Sequence, residues 1–324
     1  MPTKTRAAPN GIAMFDTSIG TDNLGDYIIM DAVWDAYREI FGSLAPAARI
    51  PTHSYMQPGA YESLSGCRLG IVGGTNILKS HMFVRANWRL RLRDMLVLKN
   101  IVLLGVGWQQ YQGRIDFLSK ALFRRAFSSE FMHSVRDEYT AEKLSGAVRN
   151  VVYTACPTLW SLTPQKCAEV PTSRADSVIL SLTYYRPDPV DAELLRLLKR
   201  EYANVHIWCQ QPRDVEYVNS LGVAGPGELV IDIEAYNELL RKAPVDVIGT
   251  RLHGGIRALQ YGRRALILAI DNRATEMARS TQIPVVDRHD LESMRAWVAT
   301  SAPVSIELPW SDIAAWKGQF KSAG

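Results

Sequence analysis

The run Gly249-Thr250-Arg251-Leu252-His253-Gly254-Gly255-Ile256-Arg257-Ala258 puts a guanidinium, an imidazole and two adjacent glycines into one short segment. An apolar run ends just before it and helical spacing begins within it, so it reads as a strand-to-helix turn. A helix start offers unpaired amides and the positive end of a dipole, and paired glycines let an anion approach the backbone. Arg251 adds a planar fork and His253 a proton that moves near neutral pH. The chemistry is recognition of a phosphate or carboxylate with proton transfer beside it. A plain reading also exists, in which Arg251 pairs with a carboxylate, His253 caps the helix and the glycines only permit a tight turn. The coincidence of all these features at a strand end favours the ligand reading.

Three further loops share that position. After the first apolar run, Asn23 can offer an amide to a ligand, Gly25 can take a positive φ, and Asp26 stands where a helix N-cap belongs. Gly73-Gly74-Thr75-Asn76 follows the apolar block ending at Val72, and Arg136-Asp137 leaves a short apolar run immediately before helical spacing. Each has an ordinary structural explanation, but together they gather glycines, amides, an acid and cations where strands meet helices.

The elements behind these loops alternate between strand-sized apolar runs and longer helical patterns, the signature of parallel βαβ units. Strands are expected at residues 11–17, 68–72, 100–105, 131–135 and 151–154, with helices at 26–41, 79–98, 115–127 and 137–144. A second series has strands at 177–182, 205–209, 245–249, 264–270 and 284–286, with helices at 190–202, 213–221, 233–242, 254–261 and 291–300. The polar stretch 163–176, with Pro164 and Pro171, reads as the linker. The fold class is α/β, two Rossmann-like domains facing a cleft: residues 1–165 and 166–306. A short helix within 307–324 is expected to pack back on the first. Ligands in such folds bind at the carboxyl ends of the strands.

Length and composition narrow the classes. A chain of 324 residues, 47% hydrophobic and 22% charged, with a mean hydropathy of -0.08, is an ordinary globular sequence of about two domains. Cys67, Cys156, Cys167 and Cys209 lie scattered without a CxxC pair, which fits a reducing cytoplasm and no zinc ribbon. The histidines His53, His81, His133, His206 and His289 show no ligand spacing, so no metal is expected. The start, with Lys4 and Arg6, lacks the apolar stretch of a signal peptide. The net charge of +4 suits anionic ligands without demanding nucleic acid.

Asn23-Leu24-Gly25-Asp26 running into a helix, Gly73-Gly74, Arg136-Asp137 ahead of Thr140-Ala141-Glu142-Lys143-Leu144, and Arg251-Leu252-His253-Gly254 ahead of Ala258 and Gly262 occur in one order along most of the chain. In this the sequence resembles the polysaccharide pyruvyl transferases. The resemblance implies a GT-B-like pair of domains and transfer of a pyruvyl group from phosphoenolpyruvate, as donor substrate and without cofactor, to a sugar as a cyclic ketal. It implies a saccharide or lipid-linked oligosaccharide acceptor, held on the side of residues 1–165, with the donor on the side of residues 166–306. His253 is then the expected proton donor and Asp26 the base. Arg251, Arg136, Asn23, Gly25, Gly73, Gly74, Thr75, Asn76, Gly254 and Gly255 are expected to bind substrate. The sequence departs from the family's pattern at Ala155-Cys156-Pro157-Thr158, where Asp-Pro is usual, and at Asp271-Asn272-Arg273.

Two competing readings are a glycosyltransferase of the same architecture, marked by saturable nucleotide binding, and a binding protein that has lost the reaction, marked by affinity without turnover. Arg85, Arg89, Arg91, Arg93 and Lys99, interleaved with Trp88, Leu90, Leu92 and Leu96, form the face of the helix expected at 79–98. That face is either simply solvated or a peripheral contact with the inner surface of a membrane.

Overall fold

The computed structural model describes residues 11–321 apart from Ala224 and Pro226; Lys4 and Arg6 lie outside the described residues. The chain forms two compact units, one containing residues 11–21, 29–157 and 309–321, the other Asp22–Ile28 and Thr158–Leu308.

In the first unit the strands are β1 (Gly11–Asp16), β2 (Ala48–Pro51), β3 (Cys67–Gly73), β4 (Asn76–Leu78), β5 (Ile101–Leu104), β6 (Gly107–Trp108), β7 (His133–Val135) and β8 (Val151–Tyr153). They follow the apolar runs because strands buried on both faces need apolar residues at nearly every position; Ile12, Ala13, Met14 and Phe15 are all buried. The central sheet has the parallel order β2-β1-β3-β5. Parallel pairs β4-β6 and β7-β8 extend the layer, and Val106 bridges Val135. Helices α1 (Leu24–Phe41), of which the part from Ile29 onward belongs to this unit, α2 (Pro58–Ser65), α3 (Phe117–Ala126) and α4 (Glu138–Ser145) alternate with them.

The second unit runs α5 (Pro164–Ala168), β9 (Ser177–Ser181), α6 (Val190–Glu201), β10 (Asn204–Trp208), α7 (Pro212–Ser220), β11 (Leu229–Val230), α8 (Ile233–Lys242), β12 (Asp246–Gly249), α9 (Leu252–Gln260), β13 (Ala265–Ala269), α10 (Asn272–Thr281), β14 (Val285–Asp287) and α11 (Leu291–Ala299). Its six-stranded sheet is parallel throughout, in the order β11-β10-β9-β12-β13-β14. Counted within the unit this is 3-2-1-4-5-6, the Rossmann order, whose topological switch lies between β9 and β12. The last helix, α12 (Trp310–Gly318), belongs to the first unit. There Trp316 donates from Nε1 to the Met132 carbonyl at 2.9 Å, and Phe320 stacks on Phe131.

Two expectations are corrected. Residues 79–98 are not a helix but an irregular segment ending in a 3-10 turn, Leu92–Leu96. In Trp88-Arg89-Leu90-Arg91 burial alternates with period two, Trp88 and Leu90 entering the core while Arg89 is exposed; that is the periodicity of extended chain. Residues 163–176 are not a free linker: Thr163 caps α5 through Lys166 N at 3.2 Å, and Cys167 and Val170 are buried, so the stretch lies within the second unit. The polar α10, with its Asn-Arg-Ala-Thr-Glu start, and the four-residue β2 had too little apolar patterning to be expected. The four cysteines are buried and form no disulfide among the described residues. No helix among the described residues is long and apolar enough to cross a membrane.

His133 illustrates how tightly the first unit is packed. Its Nε2 lies 2.8 Å from the Ser128 carbonyl, and its Nδ1 accepts from Leu103 N at 3.4 Å. A proton on Nδ1 would oppose that amide, and burial, the larger effect, also disfavours charge, lowering the pKa to about 4. With the folded value below the unfolded ~6.5, the unfolded state binds the extra proton between the two, so stability is full above ~6.5 and falls as pH drops toward about 4. Denaturant titration at pH 7 and pH 5 is expected to show a loss on acidification that His133→Gln largely abolishes; an equal loss in the variant would refute the assignment.

Candidate active site

The turn around Arg251 sits at the topological switch of the second unit. β12 and β9 run side by side, and the chain after each is tied to the other: Thr250 N donates to the Ser181 carbonyl at 2.8 Å, and the Thr183 and Thr250 hydroxyls are 2.8 Å apart. Gly249 must lack a side chain here, since a Cβ would lie 2.2 Å from the Ser181 carbonyl oxygen. Arg251 then precedes α9 in extended conformation, and no side chain caps the helix.

The Arg251 guanidinium is buried. Its Nε donates to the Leu182 carbonyl at 3.3 Å, its Nη1 to Gln211 Oε1 at 2.9 Å, and its Nη2 to both carboxylate oxygens of Asp214. Asp214 also accepts from Tyr184 N at 3.1 Å and Gln211 N at 3.0 Å. The loops after β9, β10 and β12 therefore meet on one ion pair. The carboxylate pairing of the plain reading is what the turn adopts. Beside it, burial and then the Asp214 charge push the Cys209 thiol up to about 12, so it is no nucleophile at neutral pH.

His253, the second residue of α9, is 8% exposed. The glycines that follow let the helix pack closely: a Cβ on Gly254 would lie 2.6 Å from Trp208 Cζ3, and one on Gly255 2.5 Å from Ile267 Cγ1. Tyr236 stacks on Trp208 at 4.0 Å and donates to the Gly254 carbonyl at 2.8 Å. The paired glycines thus let α9 lie close on β10 and β13. After β13, Asp271 caps α10 and binds Arg273, whose Nη2 reaches Tyr185 Oη at 3.0 Å. Tyr185 lies under Arg251 too, at 5.4 Å, so one exposed ring adjoins both cations.

The Asn23 loop belongs to this same unit. Leu24 N donates to the Gln210 carbonyl at 3.0 Å, and Gln210 Nε2 donates to Asn23 Oδ1 at 2.6 Å. Gln211 Nε2 reaches Asp22 at 3.3 Å, linking the loop to Arg251 through one side chain. Two local expectations change. Asn23, not Asp26, precedes the helix and accepts from Gly25 N at 3.2 Å, while Asp26 is a buried third helical residue bonded to Asn23 Nδ2. Gly25 does not take a positive φ; a Cβ there would lie 2.6 Å from Gln210 Nε2 and would displace that amide.

In the first unit Gly73 and Gly74 admit α1, a Cβ on them falling 2.5 Å from Val33 and 2.1 Å from Ile29. Thr75 and Asn76 are buried beyond them, and Asn76 Oδ1 accepts from Arg136 Nη2 at 3.3 Å. Arg136, 1% exposed, lies against Gly107 and pairs with Asp137 at 3.0 Å, leaving Nη1 without a hydrogen-bond partner among the described residues. Asp137 caps α4 through Thr140 N at 2.7 Å.

The sequence model of the family described as polysaccharide pyruvyl transferase matches residues 23–272, from the Asn23 loop through the Arg251 turn to the start of α10. The chain belongs to that family. No curated protein is significantly similar to it in sequence. In structure it is similar to the UDP-GlcNAc 2-epimerase of Methanocaldococcus jannaschii, solved with UDP-GlcNAc and UDP, at 10% identity and a TM-score of 0.51 over 96% of this chain and 98% of that one. The Neisseria meningitidis UDP-GlcNAc 2-epimerase bound to UDP-GlcNAc gives 12% identity and a TM-score of 0.45 over 97% and 99%. The fold class is α/β, GT-B-like, as expected.

The structure gathers Arg251, His253 and the Asn23 segment in one unit and Asn76 with Arg136 in the other. Asp214, Gln210, Gln211 and Tyr185 escaped the sequence reading, although Gln210-Gln211 follows β10 at the same strand-end position as the motifs that were found. Removing one member of a buried ion pair costs about 3–5 kcal/mol because the other charge stays buried. Asp214→Asn is therefore expected to destabilise strongly and Arg251→Met with Asp214→Leu much less, as urea unfolding would report; a near-neutral Asp214→Asn would show that the pair does not hold the turn.

Proposed function

We propose that the protein transfers a pyruvyl group from phosphoenolpyruvate to two hydroxyls of a sugar in a cell-surface polysaccharide precursor, forming a cyclic ketal. The observation that carries this reading is the family match, which spans both the Asn23 loop and the Arg251 turn. The chemistry of the turn supports it, because an uncapped helix start beside an imidazole suits a donor with both phosphate and carboxylate.

In this reading the donor anion meets the first amides of α9, the Nη1 hydrogen of Arg251 that Gln211 does not take, and Arg273. His253 gives a proton to the methylene carbon, making the methyl group, as a sugar hydroxyl bonds to the central carbon. The C–O bond to phosphate then breaks, phosphate leaves, and the second hydroxyl closes the ketal as its proton is lost. Asp26 is the candidate acceptor of a hydroxyl proton. Arg136, with its unfilled Nη1, and Asn76 bind substrate oxygens in the first unit. The glycines Gly25, Gly73, Gly74, Gly254 and Gly255 act through packing, by allowing helices and side chains to approach.

The test is calorimetric titration with phosphoenolpyruvate, UDP and phosphate at fixed salt, followed by phosphate release with saccharide and lipid-linked acceptors. Selective binding of phosphoenolpyruvate is expected, with turnover reduced about 10²- to 10⁴-fold in His253→Ala and donor affinity largely kept. Turnover within a few-fold of wild type would remove His253 as the acid. Binding of UDP with indifference to phosphoenolpyruvate would replace the reading by a glycosyltransferase, and donor affinity without turnover would favour a binding protein.

A further inference from the structure

We infer that one face of the first unit, built from α3, the 3-10 turn Leu92–Leu96 and the turn at residues 81–84, is a docking surface for an anionic lipid bilayer. These elements adjoin. The 3-10 turn packs beside α3, Asp116 at the start of α3 accepts from His81 N and the Ser80 hydroxyl, and Met82 N donates to Ser119 Oγ at 2.9 Å.

Large apolar side chains stand exposed on all three: Phe117 at 82%, Leu96 at 75%, Val84 at 60%, Leu92 at 58% and Leu118 at 47%. The cations among them are unusually dense. Residues 79–125 hold ten Lys and Arg against two Asp, in a chain whose net charge is only +4. Neither Asp faces outward as a free charge. Asp94 is buried under the Tyr61 hydroxyl and Arg91 N, and Asp116 is taken up by the amides of His81, Leu118 and Ser119. Arg85, Arg89, Arg93, Arg124 and Arg125 are exposed, and none has a carboxylate partner among the described residues.

Exposed apolar side chains among guanidinium groups that have no carboxylate partner in the described residues match a layer of anionic headgroups over acyl chains, where both kinds of residue gain. A second copy of the chain does not suit this face, since it would bring two such cation clusters together. The arrangement differs from the helical face expected from sequence: Trp88 and Leu90 are in the core, and α3 supplies Phe117 and Leu118 instead. The surface does not rest on the pyruvyl-transfer reading, and its test uses no substrate.

The test is sedimentation of the full chain with vesicles of phosphatidylcholine alone or mixed with phosphatidylglycerol, at low and high salt. Binding is expected only to the mixed vesicles, weakened by salt. It should fall about tenfold or more both in Phe117→Ser with Leu96→Ser and in Arg93→Glu with Arg124→Glu. These side chains are exposed, so circular dichroism should be unchanged. Absence of binding to mixed vesicles would overturn the proposal and point to an acidic protein partner. Binding that ignores the apolar substitutions would overturn it too, reducing the contact to diffuse charge attraction.

Discussion

Three strand ends of the second unit converge on a single buried ion pair, Arg251 with Asp214. A guanidinium and a carboxylate removed from water are tolerated only if their hydrogen-bonding directions are filled, and here backbone groups of the two loops after β9 and β10 help fill them. The pair therefore does more than neutralise two charges. It fixes where β12 gives way to α9, hence where His253 stands and where the uncapped amides of the helix point. It also reaches the Asn23 loop through Gln211, so the segment that opens α1 is registered on the same point.

Charge balance is a recurring property of the strand ends. Arg251 with Asp214, Arg273 with Asp271 and Arg136 with Asp137 each couple a cation to an acid within the same unit. Such pairs hold guanidinium groups rigid without concentrating bare positive charge. The unfilled Arg136 Nη1 stands out against this background because every other nitrogen of that side chain has a partner.

Much of this architecture was legible because buried parallel strands have little choice of residue. The apolar runs located β1, β3, β5, β9, β12 and β13, and the Arg251 turn followed from a strand end, a helix start and paired glycines. What escaped depends on contacts distant in sequence. Asp214 is an unremarkable acid in a helix first turn until its Arg251 partner, thirty-seven residues away, is known. The segment at 79–98 misled because arginine and leucine alternating every second residue can be mistaken for an amphipathic helix when the register is read loosely. The glycines also have a packing role that the sequence does not show: an added Cβ would meet Trp208, Ile267, Val33, Ile29 or Gln210.

The inward glycines of α9 carry a consequence for how the turn comes into being. Glycine is a poor helix former, about 0.8–1.0 kcal/mol worse than alanine at each position, and α9 is only nine residues long. Such a segment has little helical tendency of its own. Its helicity is borrowed from Trp208 and Ile267, so the amides at its start acquire their common direction only after β10 and β13 have assembled beneath them. Nascent or partly unfolded chains thus carry the Arg-Leu-His-Gly residues without the ordered helix start, and the common direction of those amides is an attribute of the completed unit alone.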